Sequence, residues 1–245
     1  MARYVDVHSH AYEYGEKLSE VTAGLDIVIV MVGDDYETSL KVLELARRHS
    51  FVVPCVGLHP WSVNELGREK ALKEARHIVE LALAKGVKCF GEIGLDTKFV
   101  PESIEAQREV FRFFLEAARD HGVRLNLHTA GTWEEVLRLV QRYDIGYVNF
   151  HWYTGPLNLL EEIAVSGYTI SINPAVKVQR KHREVVARAR LDVILTESDA
   201  PYRYRGMELS PRMIPEVVKE IAVIKGLEEG EVAEAVWRNF KKHWG

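Results

Sequence analysis

The sequence predicts a single-domain α/β protein with the (β/α)8, or TIM, barrel architecture. Three observations predict it. Eight short β-rich apolar runs recur along 245 residues. Amphipathic segments with helical spacing lie between them, the alternation of parallel βαβ units. The runs are nearly continuous in apolar residues, as expected of strands covered on both faces. Eight such units in a chain of this length match the barrel, with a doubly wound open sheet as the alternative. No linker, repeat or low-complexity stretch divides the chain, so residues 1–245 are read as one domain.

The runs, in order, are RYVDVH (3–8), DIVIVMV (26–32), FVVPCVGL (51–58) and VKCFGEI (87–93). They continue with VRLNLH (123–128), GYVNFH (146–151), YTISIN (168–173) and DVILTES (192–198). Among the helical segments, residues 65–86 and 104–122 each end on a glycine, a helix stop signal. Residues 132–144 open on Thr132 with Glu135 three positions later, the spacing of a capping box. The segment 229–245 reads as a closing helix, with Trp237 and Phe240 facing the core.

Composition bounds the function. The chain is 47% hydrophobic and 28% charged, with net charge −4. A protein that coats long nucleic acid non-specifically would be basic. The start MARYVDVHSH lacks the apolar core of a signal peptide, and no run of about 20 apolar residues occurs. A soluble cytoplasmic protein with no membrane partner is expected. The two cysteines, Cys55 and Cys89, lie in apolar runs without CxxC spacing, and free buried thiols are expected in a reducing compartment.

In a barrel, chemistry gathers where strands end and the next loop begins. The first run ends with His8 and His10, two apart and therefore on one face. Such a pair is by itself a weak signal. Further runs end with His59 (GLHPW), Glu92 and Asp96 (GEIGLD), His128 (NLHTAG), His151 (NFHWYTG), and Glu197 and Asp199 (TESDAPY). Five of ten histidines thus fall at strand ends. A lone histidine there is usually a hydrogen-bonded structural residue, but buried carboxylates are costly unless paired or metal-bound. A convergent set of His and carboxylate donors is what a divalent metal requires. The other histidines, His49, His77, His121, His182 and His243, fall in helical segments and are read as surface or helix-end residues.

Taken together, HxH, GLHP, GEIGLD, the fifth-strand His128, H-x-x-x-G and ESDAPY resemble the TatD family of metal-dependent hydrolases, within the amidohydrolase-like barrels. Gln107 and Phe111 fit its pattern too. The resemblance runs from Asp6 to Tyr202. It implies two divalent ions (Mg, Mn or Zn), one held by His8, His10 and Asp199, the other by His128 and His151, with Glu92 bridging them. It also implies a deoxyribonuclease or phosphodiesterase acting on DNA ends, short single strands or small phosphodiesters. Asp199 is then the expected general base, and His59, Arg203 and Arg205 the expected phosphate clamp. The sequence departs from the family at Thr97, at Ala130, where an Arg is usual, and at HWYTG, where HCFSG is usual. An amide, ester or lactone hydrolase with the same metal site is the alternative. Glu92, standing where many such barrels carry a carboxylated lysine, favours phosphoesterase chemistry. A non-catalytic metal-binding scaffold is a third reading.

Overall fold

A computed structural model describes residues 3–244. All eight expected strands form: β1 (Tyr4–Ser9), β2 (Ile27–Val32), β3 (Val52–Cys55), β4 (Cys89–Gly94), β5 (Arg124–His128), β6 (Val148–Phe150), β7 (Thr169–Ile172) and β8 (Ile194–Thr196). The helices are α1 (Leu18–Thr22), α2 (Tyr36–Arg48), α3 (Pro60–Leu66), α4 (Arg68–Lys85) and α5 (Ile104–His121). They continue with α6 (Trp133–Arg142), α7 (Leu160–Val165), α8 (Arg180–Arg188), α9 (Ile214–Lys225) and α10 (Glu229–Trp244). The expected glycine stops are Gly86 and Gly122, both left-handed at φ 69° and 61°.

The chain divides into two compact units. The first comprises residues 1–31, 49–53 and 151–245. Here β1 runs parallel to β2, and β7 to β8, with Ile170 opposite Ile194 and Ile172 opposite Thr196. Helix α10 packs on β1 and β8. Val5, Val7, Ile170, Ile194, Ile221 and Phe240 are among the buried side chains that drive this packing. The second unit comprises residues 32–48 and 54–150. Its parallel strands β4, β5 and β6 pair in chain order. Phe90, Phe111, Phe114, Leu125 and Leu127 are fully buried there.

Three findings depart from the sequence reading, and a fourth adds to it. Cys55 and Cys89 form a disulfide. Their strands are neighbours, joined by the Val56–Phe90 bridge one residue on, so the two Cα atoms stand 4.6 Å apart. Residue spacing in the chain carries no trace of this. The capping box does not form: Thr132 donates its hydroxyl to the Leu95 carbonyl, and Glu135 pairs with Arg108 of α5. His182 is fully buried rather than on the surface, because it lies on the inner face of α8 beside Val185 and Val186. The PYRYRG loop contains a small hairpin, β9 (Arg203–Tyr204) with β10 (Met207–Glu208).

Among the described residues, no helix is long and apolar enough to cross a membrane.

Candidate metal-hydrolase site

In the first unit the donors come from the ends of β1, β6 and β8. His8 stands near the end of β1, where its pairing with β2 shifts register between Asp6 and Ser9, and His10 follows directly after the strand. The Nε2 atoms of His8 and His10 lie 3.6 and 3.5 Å from one oxygen, Oδ1, of Asp199. The His151 ring stacks on His8 with centroids 3.9 Å apart. His8, His151 and Asp199 each offer a ligand atom within 4.8 Å of the others.

The backbone around Asp199 is held on two sides. Its N–H donates to the His8 carbonyl at 3.0 Å. The preceding residue, Ser198, donates both its N–H (2.7 Å) and its hydroxyl (2.6 Å) to the Asp6 carboxylate. Burial pushes the Asp6 carboxyl up to about 8, against the pull of those Ser198 bonds. So pinned, Asp199 adopts φ 55°, a left-handed conformation that costs a non-glycine residue energy.

Glu197, two residues before Asp199, is fully buried. Its Oε1 accepts the Trp152 N–H at 2.8 Å and lies 3.4 Å from His151 Nδ1, while Oε2 accepts the Ser171 hydroxyl. Burial raises this carboxyl, but the neighbouring His151 and His8 and the Ser171 bond outweigh it, and the net shift is downward.

In the second unit the donors come from β4, β5 and the start of α3. Glu92 Oε1 lies 2.7 Å from His128 Nδ1 and 3.5 Å from His59 Nε2. His59 Nε2 is 3.2 Å from His128 Nδ1. These three residues again bring ligand atoms within 4.8 Å of one another. His128 Nε2, on the far side of the ring, contacts Asp96 Oδ2 at 2.9 Å. Asp96 also accepts the Trp61 indole N–H and the backbone N–H groups of Lys98 and Phe99. Burial alone would raise the Asp96 carboxyl, but His128 and these donors hold it down at about 2. Gln107 of α5 fixes the loop from below: it accepts the Asp96 N–H and donates to the Val100 carbonyl.

Buried imidazole and carboxylate donors that converge in this way are a donor set suited to a divalent cation. Two acceptors as close as Glu92 Oε1 and His128 Nδ1 need a proton or a cation between them.

The expected phosphate-clamp residues differ in setting. His59 caps α3 by accepting the Trp61 backbone N–H on Nδ1, which leaves its proton on Nε2. Arg203 is exposed on β9 and pairs with Glu208 at 3.3 Å. Arg205, at φ 46°, lies over the Tyr204 ring. Trp152 meets Tyr202 and Tyr204 edge to face, so these aromatics pack the loop against itself. Asp96 and Glu197 stand among the strand-end residues, yet sequence reasoning gave neither a task. The signal was present, since each is a carboxylate beside a ligand motif, but the partner histidine lies on another strand.

Fold and donor set together define a metal-dependent hydrolase of the barrel class. The chain belongs to the TatD related DNase family, whose model matches residues 5–245. It is 28% identical over 244 residues to an uncharacterized metal-dependent hydrolase of Methanocaldococcus jannaschii, covering 97% of this chain and 95% of that protein. It is 27% identical to human deoxyribonuclease TATDN3, covering 97% and 93% of the two chains. The solved structure of YjjV, a TatD homologue from Escherichia coli, matches with a TM-score of 0.82 and 25% identity over 98% of this chain and 96% of that one. A hydrolase of the TatD family from Entamoeba histolytica matches in fold with a TM-score of 0.81 over 98% and 97%. The fold class is therefore the (β/α)8 barrel that the strand count predicts.

Proposed function

We propose that this hydrolase cleaves phosphodiester bonds in DNA, at strand ends or in short single strands, using two divalent ions (Mg, Mn or Zn). The observation that carries this is the pair of donor groups, His8–His10–Asp199–His151 and Glu92–His128–His59, at strand ends of a chain in the TatD related DNase family. In this reading His8, His10 and Asp199 hold one ion, His128 and His151 hold the other, and Glu92 is shared. The chain itself, residues 1–245, is then one catalytic domain, a reading supported by one family match over 5–245. Residues 1, 2 and 245 of that span lie outside the described residues.

Bound divalent ions supply Lewis acidity and lower the pKa of water toward neutrality. The protein supplies the rest. Asp199 takes the proton of the attacking water, since a base must stand within hydrogen-bond reach of that proton. His59 directs its Nε2–H at a non-bridging phosphate oxygen. Arg203 and Arg205 meet the flanking phosphate with planar guanidinium donors. The cytoplasm is the compartment proposed. Cys55 and Cys89 are 0% and 1% exposed, and a disulfide so shielded from attacking thiolates is compatible with a reducing environment.

A metal-dependent activity screen over oligonucleotides, small phosphodiesters, phosphomonoesters and lactones tests the proposal. Divalent-dependent release of nucleotides from strand ends supports it. Lactone or amide turnover with no phosphodiester cleavage under any divalent ion rejects it. About two ions per chain by elemental analysis supports the enzyme, and none supports a scaffold.

A further inference from the structure

We propose that Trp61, Phe99 and Lys98 form a subsite for one unpaired nucleotide of a single-stranded DNA substrate, with the nucleobase stacked against the two rings and a phosphate met by the Lys98 ammonium. This rests on the DNA-hydrolase reading above. An unpaired base offers its π-face to an aromatic side chain, and stacking of that kind accepts any of the four bases.

Trp61 and Phe99 are 40% and 57% exposed, and among the described residues they are the exposed Phe, Trp and Tyr side chains of the second unit. A single exposed apolar side chain is ordinary. Here two rings are exposed side by side, with centroids 5.9 Å apart and planes at 71°. They form a corner, in which a planar group stacked on one ring turns its edge to the other. Lys98 is exposed as well, and its Nζ lies over the Phe99 ring, 5.1 Å from the centroid. Among the described residues no carboxylate pairs with that ammonium, and a phosphate would give it the anionic partner that the protein does not. The corner thus holds a partner for each half of a nucleotide, base and phosphate.

One buried carboxylate builds this corner. Asp96 accepts the Trp61 indole N–H and the backbone N–H groups of Lys98 and Phe99, each at 2.8 Å. Gln107 holds the Asp96 backbone in turn, accepting its N–H at 2.7 Å. These bonds use the edge of the indole and the backbone of residues 98 and 99, so they fix all three residues and leave the rings and the ammonium exposed. The corner also adjoins the Glu92–His128–His59 donor group. The Trp61 ring meets His59 edge to face at 5.3 Å, and Asp96 contacts His128. A base inside a duplex has both faces covered by its neighbours, so a platform of this kind selects an unpaired one.

Equilibrium binding tests this, by fluorescence anisotropy in Mg2+ with two labelled probes. One is a phosphorothioate-linked deoxyadenosine tetranucleotide, the other the same backbone carrying abasic residues. The parent protein should bind the base-bearing probe about 5–100-fold more tightly. Phe99→Leu keeps the apolar bulk and the backbone bonds, yet should shrink that preference by about 3-fold or more, while Phe99→Tyr keeps it. Trp61→Leu should shrink it as well. Lys98→Gln should weaken both probes alike and reduce the salt slope by about one unit. A preference unchanged in both Phe99→Leu and Trp61→Leu overturns the inference and leaves the rings as loop packing. Equal binding of both probes by the parent also overturns it, while nucleotide release from strand ends would still uphold the hydrolase reading. Binding of neither probe, with no such release, overturns both. Trp61→Leu also deletes a bond to Asp96; if that variant fails to fold, Phe99→Leu, a change at an exposed side chain, decides the case.

Discussion

The proposed function gives Asp199 two tasks that one substitution can separate. Its Oδ1 lies near both His8 and His10, as a ligand oxygen would, and as a carboxylate it can also accept a proton. Asp199→Asn keeps the shape and one oxygen but cannot take that proton. It should retain much of the metal while kcat falls about 10²–10⁴-fold, measured by elemental analysis and steady-state kinetics. Near-normal kcat with metal bound would move the base elsewhere. Glu92→Ala should lose more metal than His128→Ala if Glu92 is shared by two ions as proposed. Two ions per chain retained in Glu92→Ala would end that role.

At the scale of elements, β4 carries constraints from both sides. Gly94 pairs with His128 of β5 at φ 149°, and a Cβ there would lie 2.0 Å from the His128 carbonyl oxygen. Gly94→Ala should destabilise the protein by about 3 kcal/mol through overpacking and backbone strain, read from urea unfolding. A change within ±0.5 kcal/mol would contradict the register. At the other end of β4, the Cys55–Cys89 disulfide closes a 34-residue separation. By chain entropy, its loss in Cys55→Ala/Cys89→Ala should cost about 3–4 kcal/mol. A melting temperature indifferent to both reductant and the double substitution would show the cross-link to be energetically idle. In α8, burial holds His182 neutral, with its pKa depressed to about 3 against a weak opposing pull from the Ser171 backbone. The unfolded chain binds this proton below about 6.5 and the folded chain does not. Its stabilising share is therefore complete above about 6.5 and is lost as pH falls toward 3. His182→Leu should flatten the fall in melting temperature between pH 6 and 4; an unaltered slope would mean that other groups set it.

For the whole molecule, net charge −4 limits how substrate is held. Affinity for DNA should come from few phosphate contacts, with a salt slope equivalent to about one to three phosphates. Among the described residues Arg203 pairs with exposed Glu208, a contact worth little in water that a phosphate can displace. Arg203→Ala should raise KM and reduce the salt slope by about one unit. Tight binding of internal duplex with a steep slope would reject an end-directed enzyme.

The sequence by itself determined the eight strands and the donors at their ends. Both are local properties: apolar runs form strands wherever they are covered, and His8 and His10 stand at the end of the first run without reference to the rest of the chain. Gly86 and Gly122 were legible as helix ends for the same reason. Tertiary structure alone decided what distant residues do to one another. Whether Cys55 meets Cys89 depends on which strands are neighbours and in what register. Thr132 abandons its capping box because the Leu95 carbonyl, 37 residues away, lies within reach of its hydroxyl. His182 is interior because α8 turns that face inward. Asp96 and Glu197 are ordinary carboxylates in the chain. They become partners of His128 and His151 only when parallel strands bring residues 32 and 46 positions apart to within hydrogen-bonding or ion-pair distance.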